Sequence, residues 1–180
     1  MLDKYVINEN TLAIIPEGTN QSRIIENYLN VVVNMLPTEI INLSCLYFGS
    51  SLKGRCESSA YYLGTRYKNP IIVNEFPKII FFPTTSFKNI DCMWLNYCGI
   101  QKFYIAKDNN KSTTIELINH KLLTIKTTNR IICNQFLKSS RLDSIYKSKN
   151  HWFCFFLTFK YDIIKLCVGV HQRQKYSYIV

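Results

Sequence analysis

The chain has 180 residues, 47% hydrophobic, 14% aromatic and 19% charged, with 22 Lys and Arg against 12 Asp and Glu for a net charge of +10. That length suits one compact domain able to bury a core without disulfides or metal. Six Gly and five Pro are too few for a disordered or low-complexity chain.

In chain order, Tyr5–Ile7 and Thr11–Ile15 are β-prone runs around the turn-prone Asn8-Glu9-Asn10 and predict a hairpin. Asn30–Met35 reads as another strand. Pro37 suits a first helical position and Glu39 the positive helix start. Ile40, Leu43 and Tyr47 follow on one face, flanked by Ile41 and Phe48, and Gly49 is placed as the stop. A second helix is expected over Ser51–Leu63, capped by Ser50 or Ser51 and ended at Gly64. Pro70–Val73 and Ile79–Phe82 read as buried strands, with Thr84–Ser86 a polar loop. Met93–Leu95 begins a further strand and Lys102–Lys107 alternates as a half-exposed one. Asp108–Lys111 is a turn. Thr113–Ile118 and Lys121–Lys126 form a hairpin closed at Asn119-His120. Arg130–Tyr146 carries a helical period, through Ile131 and Phe136 or through Ile132, Gln135 and Phe136, then Leu142 and Ile145. This order predicts an α+β fold, a mainly antiparallel β-sheet with two or three packed helices.

The charge is uneven. Residues 1–44 carry net −3, residues 45–150 net +10 and residues 151–180 net +3. Such asymmetry suits a polyanionic partner, either DNA, RNA or an anionic membrane surface, and equally a solvated lysine face. The N-terminus has no apolar stretch of secretory type, and no apolar run approaches bilayer length. A cytoplasmic protein with reduced thiols is therefore expected, and most of the seven cysteines read as small core hydrophobes.

Enzyme signatures are missing. His120, His151 and His171 sit in no motif with a serine or cysteine, and there is no nucleophile elbow, P-loop or dinucleotide fingerprint. A metal could draw on Cys92 and Cys98 with His120 or Cys133, but the five-residue gap is not a structural zinc spacing, and buried thiols are the better reading. No catalytic residue, metal or cofactor is assigned.

The most specific stretch is Gly49-Ser50-Ser51-Leu52-Lys53-Gly54-Arg55. A helix start offers unpaired N–H groups, serines add donors, and Lys53 and Arg55 add charge, which together suit a nucleic-acid phosphate. The competing reading is a loop that caps two helices. Arg66, Lys68 and Lys88 would extend the basic surface.

Ser44-Cys45-Leu46-Tyr47-Phe48-Gly49-Ser50-Ser51-Leu52-Lys53-Gly54-Arg55, then Phe81-Phe82-Pro83-Thr84-Thr85-Ser86, then Cys92-Met93-Trp94-Leu95-Asn96 occur in this order. With Ala13–Glu17 and Pro70-Ile71, they resemble the ComK competence transcription factors of Gram-positive bacteria over roughly residues 5–125. The resemblance implies a DNA-binding activator of genes for DNA uptake and recombination. It implies recognition of paired A·T-rich boxes largely through the minor groove, homo-oligomers, and no cofactor. The partners it implies are double-stranded DNA, RNA polymerase and an adaptor–protease system, with no membrane, in a nucleoid-associated setting. A narrow A·T minor groove attracts inserted arginine, so Arg55 is expected in the groove, with Ser50, Ser51 and Lys53 on phosphates. Residues 1–150 are expected to form the DNA-binding core. The aromatic-rich 151–180, with Asp162 its sole acid, departs from the family pattern through lineage divergence or a shifted reading frame. An inactive or truncated variant acting only as an interaction protein is the alternative.

Overall fold

The computed structural model describes residues 2–107 and 109–149. The chain divides into two units, 1–143 and 144–180. In the second, residues 144–149 are described and are helical; the aromatic run 151–159 lies outside the described residues.

The first unit is built on a six-stranded sheet with strand order β3-β2-β1-β6-β5-β4. Its strands are β1 (Thr11–Glu17), β2 (Gln21–Glu26), β3 (Asn30–Val33), β4 (Ile71–Glu75), β5 (Lys78–Pro83) and β6 (Trp94–Asn96), every pair antiparallel. A second, three-stranded antiparallel sheet holds β7 (Ile100–Ala106), β8 (Asn109–Leu117) and β9 (Leu122–Ile125). Helices α1 (Pro37–Tyr47) and α2 (Leu52–Leu63) connect β3 to β4, and residues 129–149 form α3. This is the expected α+β, mainly antiparallel architecture.

Both faces of the large sheet are covered. Ile14, Ile24, Ile79, Phe81 and Trp94 face one core with Ile40, Ile41 and Cys45 of α1 and Leu52 of α2. Their chain neighbours Ala13, Ile25, Phe82 and Leu95 face the opposite way, into a core shared with Ile100, Ile115, Leu117 and Ile125 of the small sheet and Ile132 of α3. Successive strand residues point to opposite faces, so a strand covered on both sides reads as a continuous apolar run. That accounts for the Ile-Ile and Phe-Phe pairs.

Three expectations need correcting. The first hairpin pairs β1 with β2 across the Gly18–Asn20 turn, where Gly18 has φ +64°; Tyr5–Ile7 is not a strand. Tyr5 and Ile7 instead pack into the first core, and Ile7 donates its N–H to Ser44 Oγ at 3.0 Å. In α1 the buried face is Ile40, Ile41, Ser44 and Cys45, whereas Tyr47 is 71% exposed. Ser44 sits in the core because its hydroxyl is satisfied, donating to Ile40 O at 2.7 Å. In the β7–β8 connection, Asn109–Lys111 already belong to β8, with Asn109 opposite Ala106.

The last helix adopts the second of its two periods. Ile132, Gln135, Ser139 and Leu142 are buried, and Ile131 is exposed. Lys78 Nζ of β5 pairs with Asp143 Oδ1 at 2.5 Å.

Candidate nucleic-acid interface

The start of α2 has the predicted local form. Ser51 is extended (φ −115°, ψ 159°) and its Oγ accepts the Gly54 N–H at 3.1 Å, so Ser51 rather than Ser50 is the cap. Gly49, at φ +77°, turns the chain between α1 and α2. Asn42 Oδ1 accepts the Leu52 N–H at 3.2 Å, tying the two helices. A Cβ built on Gly54 would stand 3.3 Å from Ser50 Oγ and 3.5 Å from Ser51 Oγ, so glycine leaves these hydroxyls room. The far end of α2 closes on Gly64 in the left-handed region, as expected from the sequence.

The two cations of this stretch point differently. Lys53 is exposed, in a loose 4.0 Å pair with Glu57 that contributes little in water. Arg55 is turned inward, its side chain 11% exposed, with Nη1 2.6 Å from Glu75 Oε1 at the end of β4. Its Nε is buried with no partner among the described residues. Burial also pushes the neighbouring Cys45 thiol up to about 11, against the opposing pull of Arg55.

Arg66 and Lys68 lie exposed in the loop after α2. Thr65 Oγ1 donates to Asn69 Oδ1 at 2.6 Å, and Lys138 Nζ of α3 reaches Tyr67 O at 3.3 Å and the same Asn69 Oδ1 at 3.2 Å. Lys68 sits at φ +50°. Lys88 is exposed in the 84–93 loop, beside the start of α1. The structure therefore does not gather the candidates into one cluster. Ser50, Ser51, Lys53 and Arg55 sit at one end of α2 and Arg66 and Lys68 beyond the other, about 18 Å away for 12 residues at about 1.5 Å each.

What the sequence reading missed is the company Lys68 keeps. Lys111, Lys126, Lys138 and Arg141 line concavities with it. These residues come from β8, the segment after β9 and α3, so local spacing gave no signal. Of the proposed metal ligands, Cys92 is buried in the first core, while Cys98 and His120 are exposed. Among the described residues no three His, Cys, Asp or Glu side chains cluster for a metal ion. No helix among them is long and apolar enough to cross a membrane.

Comparison with known proteins extends the resemblance at both ends. The family model described as "ComK protein" matches residues 2–151. A Competence transcription factor of Bacillus subtilis (strain 168) is 28% identical over 151 residues, covering 82% of this chain and 78% of that protein. No solved structure matches significantly. With a match that takes in both sheets and all of α1 and α2, this chain belongs to the ComK family.

Proposed function

We propose that this chain is a regulator of competence genes that binds double-stranded DNA at A·T-rich boxes, largely through the minor groove. The family match over residues 2–151 carries this reading. The +10 charge of residues 45–150 supports it, because neutralising phosphates supplies most of the affinity of such proteins. The chain acts by binding rather than catalysis, in the cytoplasm at the nucleoid, with residues 1–150 as the DNA-binding core. A homo-oligomer suits paired boxes, since repeated sites are read by symmetric copies.

Ser50, Ser51, Lys53, Arg66, Lys68 and Lys88 are the proposed DNA contacts. Arg55 takes a positioning role in this proposal. Its insertion into a groove would require release from Glu75 and exposure of a guanidinium now largely covered.

A mobility-shift titration tests the reading, comparing a duplex with two spaced A·T boxes against a GC-substituted duplex at two salt concentrations. Selective, salt-sensitive shifts are expected. Weak and equal shifts on both duplexes would overturn sequence-selective regulation.

A further inference from the structure

Two concavities of about 770 and 470 Å³ share Lys68 and Ile131 and so run together as one trough. Its walls are the 65–69 loop, the segment after β9 and the first half of α3, with Thr84, Thr85 and Thr128 among the small polar groups between. Lys68, Lys111, Lys126, Lys138 and Arg141 line it, against Asp91 as the one acid among the described lining residues. Lys68, Lys111, Lys126 and Arg141 are exposed, and none makes an ion pair among the described residues. A surface that sets like charges along adjoining hollows carries a cost in repulsion that a bound polyanion removes.

The trough is also built rather than incidental. Burial holds the Lys138 ammonium below its ordinary pKa, yet Tyr67 O and Asn69 Oδ1 keep it in place as a strut between α3 and the loop. Gln135, which also lines it, is 4% exposed; its Nε2 donates to Pro83 O at 3.0 Å and so ties α3 to the end of β5.

We propose that this trough seats one sugar–phosphate strand of double-stranded DNA, with Lys68, Lys111, Lys126 and Arg141 on successive phosphates. The inference rests on the DNA-binding reading above and gives it a location distinct from the start of α2. A backbone strand is a polyanionic ridge beside the minor groove, and a concave wall of lysine, threonine and amide groups complements it in charge and hydrogen bonding.

The test is the triple variant Lys111→Ala/Lys126→Ala/Arg141→Ala, titrated with the A·T-box and GC duplexes across a salt series. Each lost phosphate contact lowers the slope of log K against log salt by about 0.9, and three together weaken binding on the order of 100-fold at physiological salt. The loss is equal on both duplexes, because phosphates carry no sequence. An unchanged thermal midpoint for the variant certifies the fold. A folded triple variant with wild-type affinity and slope would overturn the trough and leave the DNA-binding reading standing. Wild-type protein that prefers neither duplex overturns the A·T reading, while the slopes still test the trough. Wild-type protein that binds neither overturns both. A variant that loses binding to an RNA duplex yet keeps binding to DNA would overturn the commitment to DNA.

Discussion

Arg55 Nη1 stands 2.6 Å from Glu75 Oε1, so the residue that ends the Ser-Ser-Leu-Lys-Gly-Arg stretch ties the first turn of α2 to the end of β4. The Arg55 side chain is 11% exposed and that of Glu75 50%, which makes this a half-solvated pair whose cationic side lies inside. A charge-assisted bond of this kind contributes more than a surface pair and less than a fully buried one.

Arg55→Ala is therefore expected to destabilise the chain by about 1–2 kcal/mol, lowering the thermal midpoint by about 3–6 °C. DNA affinity falls in step on A·T and GC duplexes, with little change in salt slope. A variant of undiminished stability that loses only A·T-box binding would return Arg55 to the groove.

Ser51 separates capping from phosphate contact. Ser51→Ala removes the cap to Gly54 N and costs about 1 kcal/mol. Ser51→Asp restores a cap of equal quality but places a negative charge where a phosphate would sit. The expected result is recovered stability in chemical denaturation with DNA binding weakened severalfold. Full recovery of both would leave Ser51 a cap alone.

Lys78 and Asp143 hold α3 against β5 across 2.5 Å, with side chains 20% and 14% exposed. Asp143→Asn leaves the ammonium without its charge partner and is expected to cost about 1–2 kcal/mol. Adding Lys78→Met removes the stranded charge and should recover part of that loss in urea titrations. Losses that simply add would show that the two groups do not act as a pair.

Alkaline conditions give a signed prediction. Cys45 is pushed up to about 11 by burial, and Tyr5 is raised by burial and by Glu26. Both groups release their protons more easily in the unfolded chain, from about pH 9 for a thiol. The folded state then binds more protons than the unfolded one, so stability is whole below about pH 9 and falls as pH rises toward 11. Denaturation midpoints at pH 8, 9.5 and 10.5 should decline in order, and Cys45→Ala should flatten the decline. A flat series in the parent chain would contradict this.

Local chemistry alone determined much of the framework. Pro37, Ser51, Gly49 and Gly64 bracket two helices because caps and left-handed turns depend on a few neighbouring residues. Asn119-His120 likewise marks the β8–β9 turn, with His120 at φ +62°. Strand β2 was not legible, since Ile24 and Ile25, buried on opposite faces of a covered sheet, are its only apolar residues and make too short a run to mark a strand. The helical period of α3 left two faces open. Only packing against the second core selected Ile132 and Gln135 over Ile131.

The same division holds for the site. Sequence by itself determined that basic charge is concentrated after residue 44 and that a capped helix start carries Ser51 and Lys53. Which cations face solvent together was decided by tertiary structure. Arg55 turns toward Glu75, a residue 20 positions away, while Lys68 shares one concavity with Lys111 and Lys126 and the adjoining one with Lys138 and Arg141. Caps and turns are written in adjacent residues, whereas the direction of a long charged side chain depends on partners that only the folded chain brings near.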